Sequence, residues 1–295
     1  MKLVSKSHRT LFSATLVLLG LGLAVLPAAA ATYQEISAPN SDQTWASGIN
    51  NLGQVVGYYE IPGTNVIEGF LLSGGVYTNI IFSGEPNTFA IAINDSGLIA
   101  GFVQTQNIGT PYFGFTYQNG GFKSMIKFPA AKSTQPFGIN NAGQVVGAYV
   151  DLKNVSHGFL FSAGTYKSID IANAKATMAA GINKAGDISG TYVDQSNQEH
   201  GFLLHKNGTL TVINYRGAPN GTVVGGINDK DQLAGYFTPP TTDQSTGFEY
   251  SGGTFTTILY PGAVSTQPFG INNSQVVVGA WVTPQGNFEG FMETP

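Results

Sequence analysis

Cysteine is absent, so no disulfide contributes to stability; the absence is compatible with an oxidising compartment. Charge is also scarce, at 10% of residues. Of 13 Lys and Arg, three (Lys2, Lys6 and Arg9) stand near the start; beyond them ten basic residues meet 17 acidic ones, a net charge of −7. Arg216 is then the single guanidinium. An acidic chain with one Arg is a poor partner for a phosphate backbone, which excludes nucleic acid. It also excludes a sialidase-type site, which needs several Arg around a carboxylate substrate. There is no Gly-x-Ser-x-Gly elbow, no phosphate-binding loop and no zinc-protease helix. No known metal-ligand spacing occurs either, so neither a cofactor nor a metal is assigned.

Long apolar runs are confined to one place. Leu11 to Leu26 follows the basic residues, and Pro27 then precedes Ala28-Ala29-Ala30-Ala31. A positive segment, a short apolar segment and small residues in that order read as a secretory signal over 1–31, not as a membrane span. No Cys follows, which excludes a lipoprotein anchor. The expected product is a secreted protein, extracellular or periplasmic, with one domain over 32–295.

What is abundant is Gly, at 39 residues, together with aromatic and β-branched residues. That mixture favours an all-β domain with many tight turns over a disordered chain. An Ile-Asn pair recurs at Ile49, Ile93, Ile139, Ile182, Ile227 and Ile271, at intervals of 44, 46, 43, 45 and 44. Eight residues after each Ile stands a Gly, from Gly57 to Gly279, and a Gly-Phe pair follows, from Gly69-Phe70 to Gly290-Phe291. Each repeat reads as four short strands a–d. In the third, strand a ends at Phe137-Gly138-Ile139, b is Gln144 to Tyr149, c is Gly158 to Phe161, and d is Thr165 to Ile171. Asn-Asn-Ala-Gly at 140–143 suits the a–b turn, with Gly143 supplying a positive φ. Asp231 and Gln275 replace that Gly in two repeats, so those turns are expected to differ.

Four antiparallel strands in about 44 residues is the size of a propeller blade. Residues 32–295 number 264, six times 44. The last repeat stops after strand c, and Thr32-Tyr33-Gln34-Glu35-Ile36 resembles the strand-d segment Thr165-Tyr166-Lys167-Ser168-Ile169. The fold expected is a six-bladed β-propeller of four-stranded antiparallel blades, its ring closed by the N-terminal strand completing the last blade. The alternative, an open β-solenoid, fits less well because its rungs are shorter.

The stretch His157-Gly158-Phe159-Leu160-Phe161-Ser162-Ala163-Gly164-Thr165, followed by Gly181-Ile182-Asn183-Lys184-Ala185-Gly186, resembles the bacterial "probable extracellular repeat" family. Its repeat is called HAF after a His-Ala-Phe triplet. The resemblance covers the whole of 32–295. This chain has Gly-Phe where the triplet has Ala-Phe, and His precedes the pair only at His157 and His200. The resemblance implies a secreted protein and carries over no catalytic residue.

The a–b and c–d turns fall on one face and are short and uniform. The b–c and d–a connections fall on the other and vary. Irregular loops on a rigid scaffold are where binding residues usually sit. The candidate binding face therefore comprises Trp45, Asp151, His157, Asp194, Glu199 and His200. His157 and His200 hold equivalent places with acids in the same loops, from which a metal site or a carboxylate pair could be built; the plainer reading is solvated loop residues. Residues two past the strand-b Gly are Tyr59, Val103, Tyr149, Tyr192, Phe237 and Trp281, read as packing between blades rather than as a stacking ring for sugar. Gly48, Ala92, Gly138, Gly181, Gly226 and Gly270 read as crowding at the axis. The octapeptide Ser133–Asn140 recurs as Ser265–Asn272, three repeats on. The function expected is a non-catalytic binding or scaffold module for a glycan or protein, without a membrane span, as a monomer. The alternatives are a polysaccharide hydrolase or lyase working through Asp151, Asp194 and Glu199, and a structural surface protein.

Overall fold

The computed structural model describes residues 31–106, 111–218, 221–240, 242 and 244–295. The segment read as a secretory signal lies outside the described residues, apart from Ala31. No helix among the described residues is long and apolar enough to cross a membrane.

The described residues form 24 strands. β1 (Thr32–Ile36) precedes the first repeat, which holds β2 (Gln43–Ile49), β3 (Val55–Glu60), β4 (Ile67–Ser73) and β5 (Val76–Ile80). The second holds β6 (Asn87–Ile93), β7 (Ile99–Gln104), β8 (Tyr112–Gln118) and β9 (Gly121–Ile126). The third holds β10 (Ser133–Ile139), β11 (Val145–Val150), β12 (Ser156–Ser162) and β13 (Thr165–Ile169). The fourth holds β14 (Ala176–Ile182), β15 (Ile188–Val193), β16 (Glu199–Leu204) and β17 (Leu210–Ile213). The fifth holds β18 (Thr222–Ile227), β19 (Leu233–Phe237), β20 (Thr246–Ser251) and β21 (Thr254–Ile258). Last come β22 (Ser265–Ile271), β23 (Val277–Val282) and β24 (Phe288–Thr294). Strands within a repeat pair antiparallel in sequence order; the first two repeats are joined by a single parallel bridge, Ile67 to Asn87. The last sheet runs β22-β23-β24-β1, with Thr32 to Ile36 paired in register against Thr294 to Gly290. The strand at the start of the domain thus fills the place of strand d beside the last repeat.

Two recurring residues of the repeat prove to be one contact. A Cβ on the strand-b Gly would lie 2.0–2.2 Å from a strand-a carbonyl oxygen: Trp45 O for Gly57, Gln135 O for Gly147, Gln267 O for Gly279. The ring of the Gly-Phe phenylalanine covers the same spot, 2.7–2.9 Å from that Cβ position. Phe70, Phe115, Phe159, Phe202, Phe248 and Phe291 are each wholly buried there. Only the missing Cβ lets the strands pair and the ring settle. Gly147→Ala should therefore cost about 3 kcal/mol through backbone displacement, read as a lower denaturation midpoint at unchanged slope.

Strand a carries a bulge in every repeat, between Ala46 and Gly48, Ala90 and Ala92, Pro136 and Gly138, Ala179 and Gly181, Val224 and Ile227, and Pro268 and Gly270. The bulge shifts the alternation of faces, so that Gly138 and Ile139 are both buried while Phe137 is not. The small residue after the bulge abuts its counterpart in the next repeat. A Cβ on Gly226 would sit 2.9 Å from Gly270 Cα, and one on Gly270 would sit 3.2 Å from Gly48 Cα. Crowding at the axis is thus observed directly.

The Asn of each Ile-Asn pair is buried and does two jobs. Its Oδ1 accepts N–H bonds at 2.9–3.1 Å from its own turn, as Asn140 does from Ala142 and Gln144. Its Nδ2 donates to the backbone carbonyl of the next repeat's Asn at 3.0–3.5 Å: Asn50 to Asn94, Asn94 to Asn140, Asn140 to Asn183, Asn183 to Asn228, Asn228 to Asn272. Asn272 donates to Asn50 and shuts the cycle. The turns at Asp231 and Gln275 do not differ from the rest, contrary to expectation. Both residues take positive φ, 57° and 61°, and donate their N–H to the repeat's Asn carbonyl as Gly143 does. The ladder holds the turn in that shape whether or not Gly is present.

Glu293 on β24 is half-buried, and its carboxyl is pushed up to about 7, first by burial and second by Glu249. An unfolded Glu titrates near 4.5. Between these values the unfolded chain has released a proton that the fold still holds, so stability falls as pH rises from about 4.5 to about 7. Glu293→Gln should flatten that decline, seen as a smaller loss of Tm between pH 5 and pH 8 than in the parent.

Candidate functional site

The axis of the ring of strand-a segments has three levels. At the uniform-turn end lie the Asn ladder and a second, more exposed ring of Asn51, Asp95, Asn141, Lys184, Asp229 and Asn273, around a cavity of about 70 Å3. Asp95 accepts from Asn51 and Asn141 side chains at 2.9 and 2.7 Å, and these bonds lower its pKa, although burial acts first and in the opposite direction. A waist of the same volume follows, lined by the small residues and by Ile49, Ile93, Ile139, Ile182, Ile227 and Ile271. Toward the other end the channel widens to about 230 Å3.

This bowl is apolar and aromatic. Ser47, Ile91, Phe137, Ala180, Gly225 and Phe269 line it from the bulge position of strand a, and Tyr58 and Tyr236 from strand b. Met178, Val223, Val224 and Pro268 complete the wall. On one side the rings form a continuous chain: Phe288–Trp45 5.3 Å, Trp45–Tyr58 5.0 Å, Tyr58–Phe89 5.0 Å, Phe89–Phe102 4.6 Å and Phe102–Phe137 6.1 Å between centroids. Each ring is braced by its neighbours in the chain. Burial pushes the Tyr58 hydroxyl up to about 12. Tyr236 is raised by burial and then by Glu199. Both hydroxyls therefore stay neutral at physiological pH and can donate or accept.

The residues expected from the sequence divide. Trp45 belongs to the aromatic chain beside the bowl. His157 and Asp151 meet at 3.6 Å, and His157 Nδ1 lies 2.7 Å from Asp170 Oδ1. His200 Nε2 lies 3.1 Å from Asp194 Oδ2, and its Nδ1 lies 3.0 Å from Asn214 Oδ1. Each imidazole stacks on a strand-b tyrosine, Tyr149 or Tyr192, at 5.0 Å. Each Asp oxygen Oδ1 accepts two N–H bonds of its own loop, from Lys153 and Val155 or from Ser196 and Gln198. The N–H bond from Val155 or Gln198 comes first among the causes that lower each carboxyl below the usual range; Lys153 and then His157 add to it at Asp151, His200 and then Ser196 at Asp194, with desolvation opposing. Groups so committed hold a loop; they are poor proton donors. Glu199 is exposed at the start of β16, and a Cβ on Gly221 would meet its side chain at 2.7 Å. Three of the five rings two past the strand-b Gly stack on a ring of the connection that enters their repeat: Tyr149 on Phe128 at 3.7 Å, Phe237 on Tyr215 at 3.6 Å and Trp281 on Tyr260 at 4.3 Å.

The bowl residues Tyr58, Phe137, Tyr236 and Phe269 lie outside the candidate face read from the sequence. Their signal is disagreement among repeats at one inward position, which reads Ser47, Ile91, Phe137, Ala180, Gly225, Phe269. The duplicated octapeptide contributes Phe137 and Phe269, both lining the bowl, and its prolines pack against Gly114 and Gly247 of the preceding sheets.

The chain matches no protein-family model and no curated protein sequence. Among solved structures it is similar to AofleA from Arthrobotrys oligospora, at 12% identity over 89% of this chain and 86% of that one, with a TM-score of 0.57. It is similar to TolB from Acinetobacter baumannii at 12% identity and a TM-score of 0.56, covering 82% of this chain but 64% of that one. The Aleuria aurantia lectin in complex with α-methyl-L-fucoside gives 10% identity, coverage of 88% and 93%, and a TM-score of 0.52. At such identities the likeness is one of fold: an all-β, propeller-like arrangement of antiparallel sheets.

Proposed function

We propose that the protein is a secreted six-bladed propeller of the extracellular-repeat kind that binds a neutral glycan, without catalysis, in the axial bowl and on the surrounding b–c and d–a loops. The observation that carries this reading is the chain of mutually braced rings beside an apolar cavity. Aromatic faces stack on the C–H faces of sugar rings, and two neutral tyrosine hydroxyls supply hydrogen bonds. The bowl's lining residues carry no ionisable group besides those tyrosines, which favours an uncharged ligand. A protein of similar fold, the Aleuria aurantia lectin, was solved with a fucoside. That likeness raises the expectation of sugar binding by analogy of fold only. Secretion rests on the segment over 1–31, and six blades rest on the six repeats and the cyclic Asn ladder.

A glycan array followed by calorimetry on residues 32–295 tests this. Phe137→Ala and Tyr236→Ala should each weaken the best ligand by tenfold or more, about 1.4 kcal/mol. Asp194→Ala should leave affinity within twofold. Loss of affinity in Asp194→Ala with no effect of the bowl variants would move the site to the outer loops. Turnover abolished by Asp194→Ala would replace the reading with the hydrolase or lyase.

A further inference from the structure

The repeats supply their own control for a second site on the opposite face. At the residue after the a–b turn, five repeats carry Gln54, Leu98, Gln144, Gln232 and Val276; the fourth carries Asp187. Four residues after the Gly of Gly-Phe, five carry Ser73, Gln118, Ser162, Ser251 and Thr294; the fourth carries His205. In the a–b turn, where four repeats have Gly and one has Gln275, the fifth carries Asp231. Each departure is the single acid or imidazole at its position among the six repeats. In the fold these three departures, 18 to 44 residues apart in the chain, come together: one ligand atom from each of Asp187, His205 and Asp231 lies within 4.8 Å of the others.

In the first and third repeats this spot is neutral. Gln54 Nε2 donates to Ser73 Oγ at 3.2 Å, and Gln144 Nε2 to Ser162 Oγ at 3.4 Å. In the fourth repeat His205 Nδ1 stands 3.4 Å from Asp187 Oδ2 instead. Two ligand atoms at about 2.0–2.1 Å from a tetrahedral ion stand roughly 3.3–3.4 Å apart, so that spacing suits a shared cation. One oxygen of each carboxylate is held from outside the cluster. Lys206 N–H donates to Asp187 Oδ1 at 2.7 Å, and Asn183 Nδ2 donates to Asp231 Oδ1 at 2.8 Å. Orienting bonds of this sort are what metal ligands usually have behind them. Asn183 is a member of the ladder; here its Nδ2 divides between Asp231 and the Asn228 carbonyl, which it reaches only at 3.5 Å. The ladder is thus longest where the extra acid stands.

We infer that Asp187, His205 and Asp231 form a binding site for a divalent transition-metal ion of the zinc type, bridging the fourth and fifth repeats. One imidazole and two carboxylates suit that class, and three protein ligands leave a position for water. None of the three residues lines the bowl, so the site stands or falls independently of the glycan reading.

Zinc titration of the chelator-treated protein, by calorimetry and by thermal melting, tests it. The parent should bind one zinc ion at micromolar concentration or below and melt several degrees higher with it. His205→Ser and Asp231→Gly restore residues that other repeats carry at the same positions, so both should fold. Each should weaken zinc binding a hundredfold or more and abolish the melting shift. His157→Ser should change neither. No uptake at 1 mM zinc, uptake unaffected by both variants, or uptake lost in His157→Ser would overturn the inference.

Discussion

Removing residues 32–36 will lower the melting temperature of the whole domain by about 15 °C or more, not fray one edge. The deleted strand β1 is the outer partner of β24 along five residue pairs. Its Ile36 is 1% exposed and sits in a core with Ala46, Val55 and Phe70, which belong to the first repeat. The strand therefore joins the last sheet by hydrogen bonds and the first by packing. Losing a buried Ile costs about 2–5 kcal/mol and each lost ladder bond about 1. The sum, near 6 kcal/mol, is a large share of the stability typical of a domain. Calorimetry reads the result as one cooperative transition moved down. A truncated protein melting within a few degrees of the parent would show that closure by β1 is dispensable. Ile36→Ala alone should cost about 3 kcal/mol, which separates the packing share from the pairing share.

Asn228→Ala will cost about 4 kcal/mol, although it deletes no apolar contact. The side chain accepts from Lys230 and Gln232 N–H, and donates to Gln232 Oε1 at 2.8 Å and to the Asn272 carbonyl at 3.0 Å. Asn228 is 4% exposed and Gln232 8%. Water cannot readily replace the bonds, and each buried group left alone costs about 1–3 kcal/mol. Asn228→Asp keeps the shape and the acceptor but loses the donor, and points an oxygen at the Asn272 carbonyl. It should be as damaging as Ala at pH 7 and recover in part at pH 4, where a protonated carboxyl can donate again. Urea denaturation of the parent and both variants at the two pH values checks the order. An alanine variant within 1 kcal/mol of the parent would demote the ladder to decoration.

Much of this architecture is legible in the residues. The interval of the Ile-Asn pairs and the alternation of Thr165 to Ile169 place the strands, and the likeness of Thr32–Ile36 to that segment locates β1 beside β24. What is not legible follows from geometry between repeats. Asn140 reads as a turn former because its two N–H partners are within four residues of it; its third partner, the Asn183 carbonyl, is 43 residues away. Phe137 reads as one more apolar strand residue. The bulge beside it decides that it lines the bowl, and a bulge leaves no clear mark in a strand that already ends in Gly-Ile. The sequence does pair His157 with Asp151 and His200 with Asp194. Their commitment to their own loops shows only in the hydrogen bonds. Asp187, His205 and Asp231 stand apart only when the six repeats are laid over one another position by position.

The pairing of β1 with β24 also sets the order of events in time. Ile36 and Gly290 are partners across nearly the whole described chain, so their meeting has the largest loop-closure cost of any strand pair in the molecule. Every other repeat can assemble its sheet from local hairpins while that seam is still open. The seam should therefore be the last part to form and the part that limits the rate of folding. Interactions absent from the transition state slow unfolding without slowing folding. The barrier is the entropy of closing that loop, and the β1–β24 bonds form beyond it, so they keep the ring shut without being what delays it.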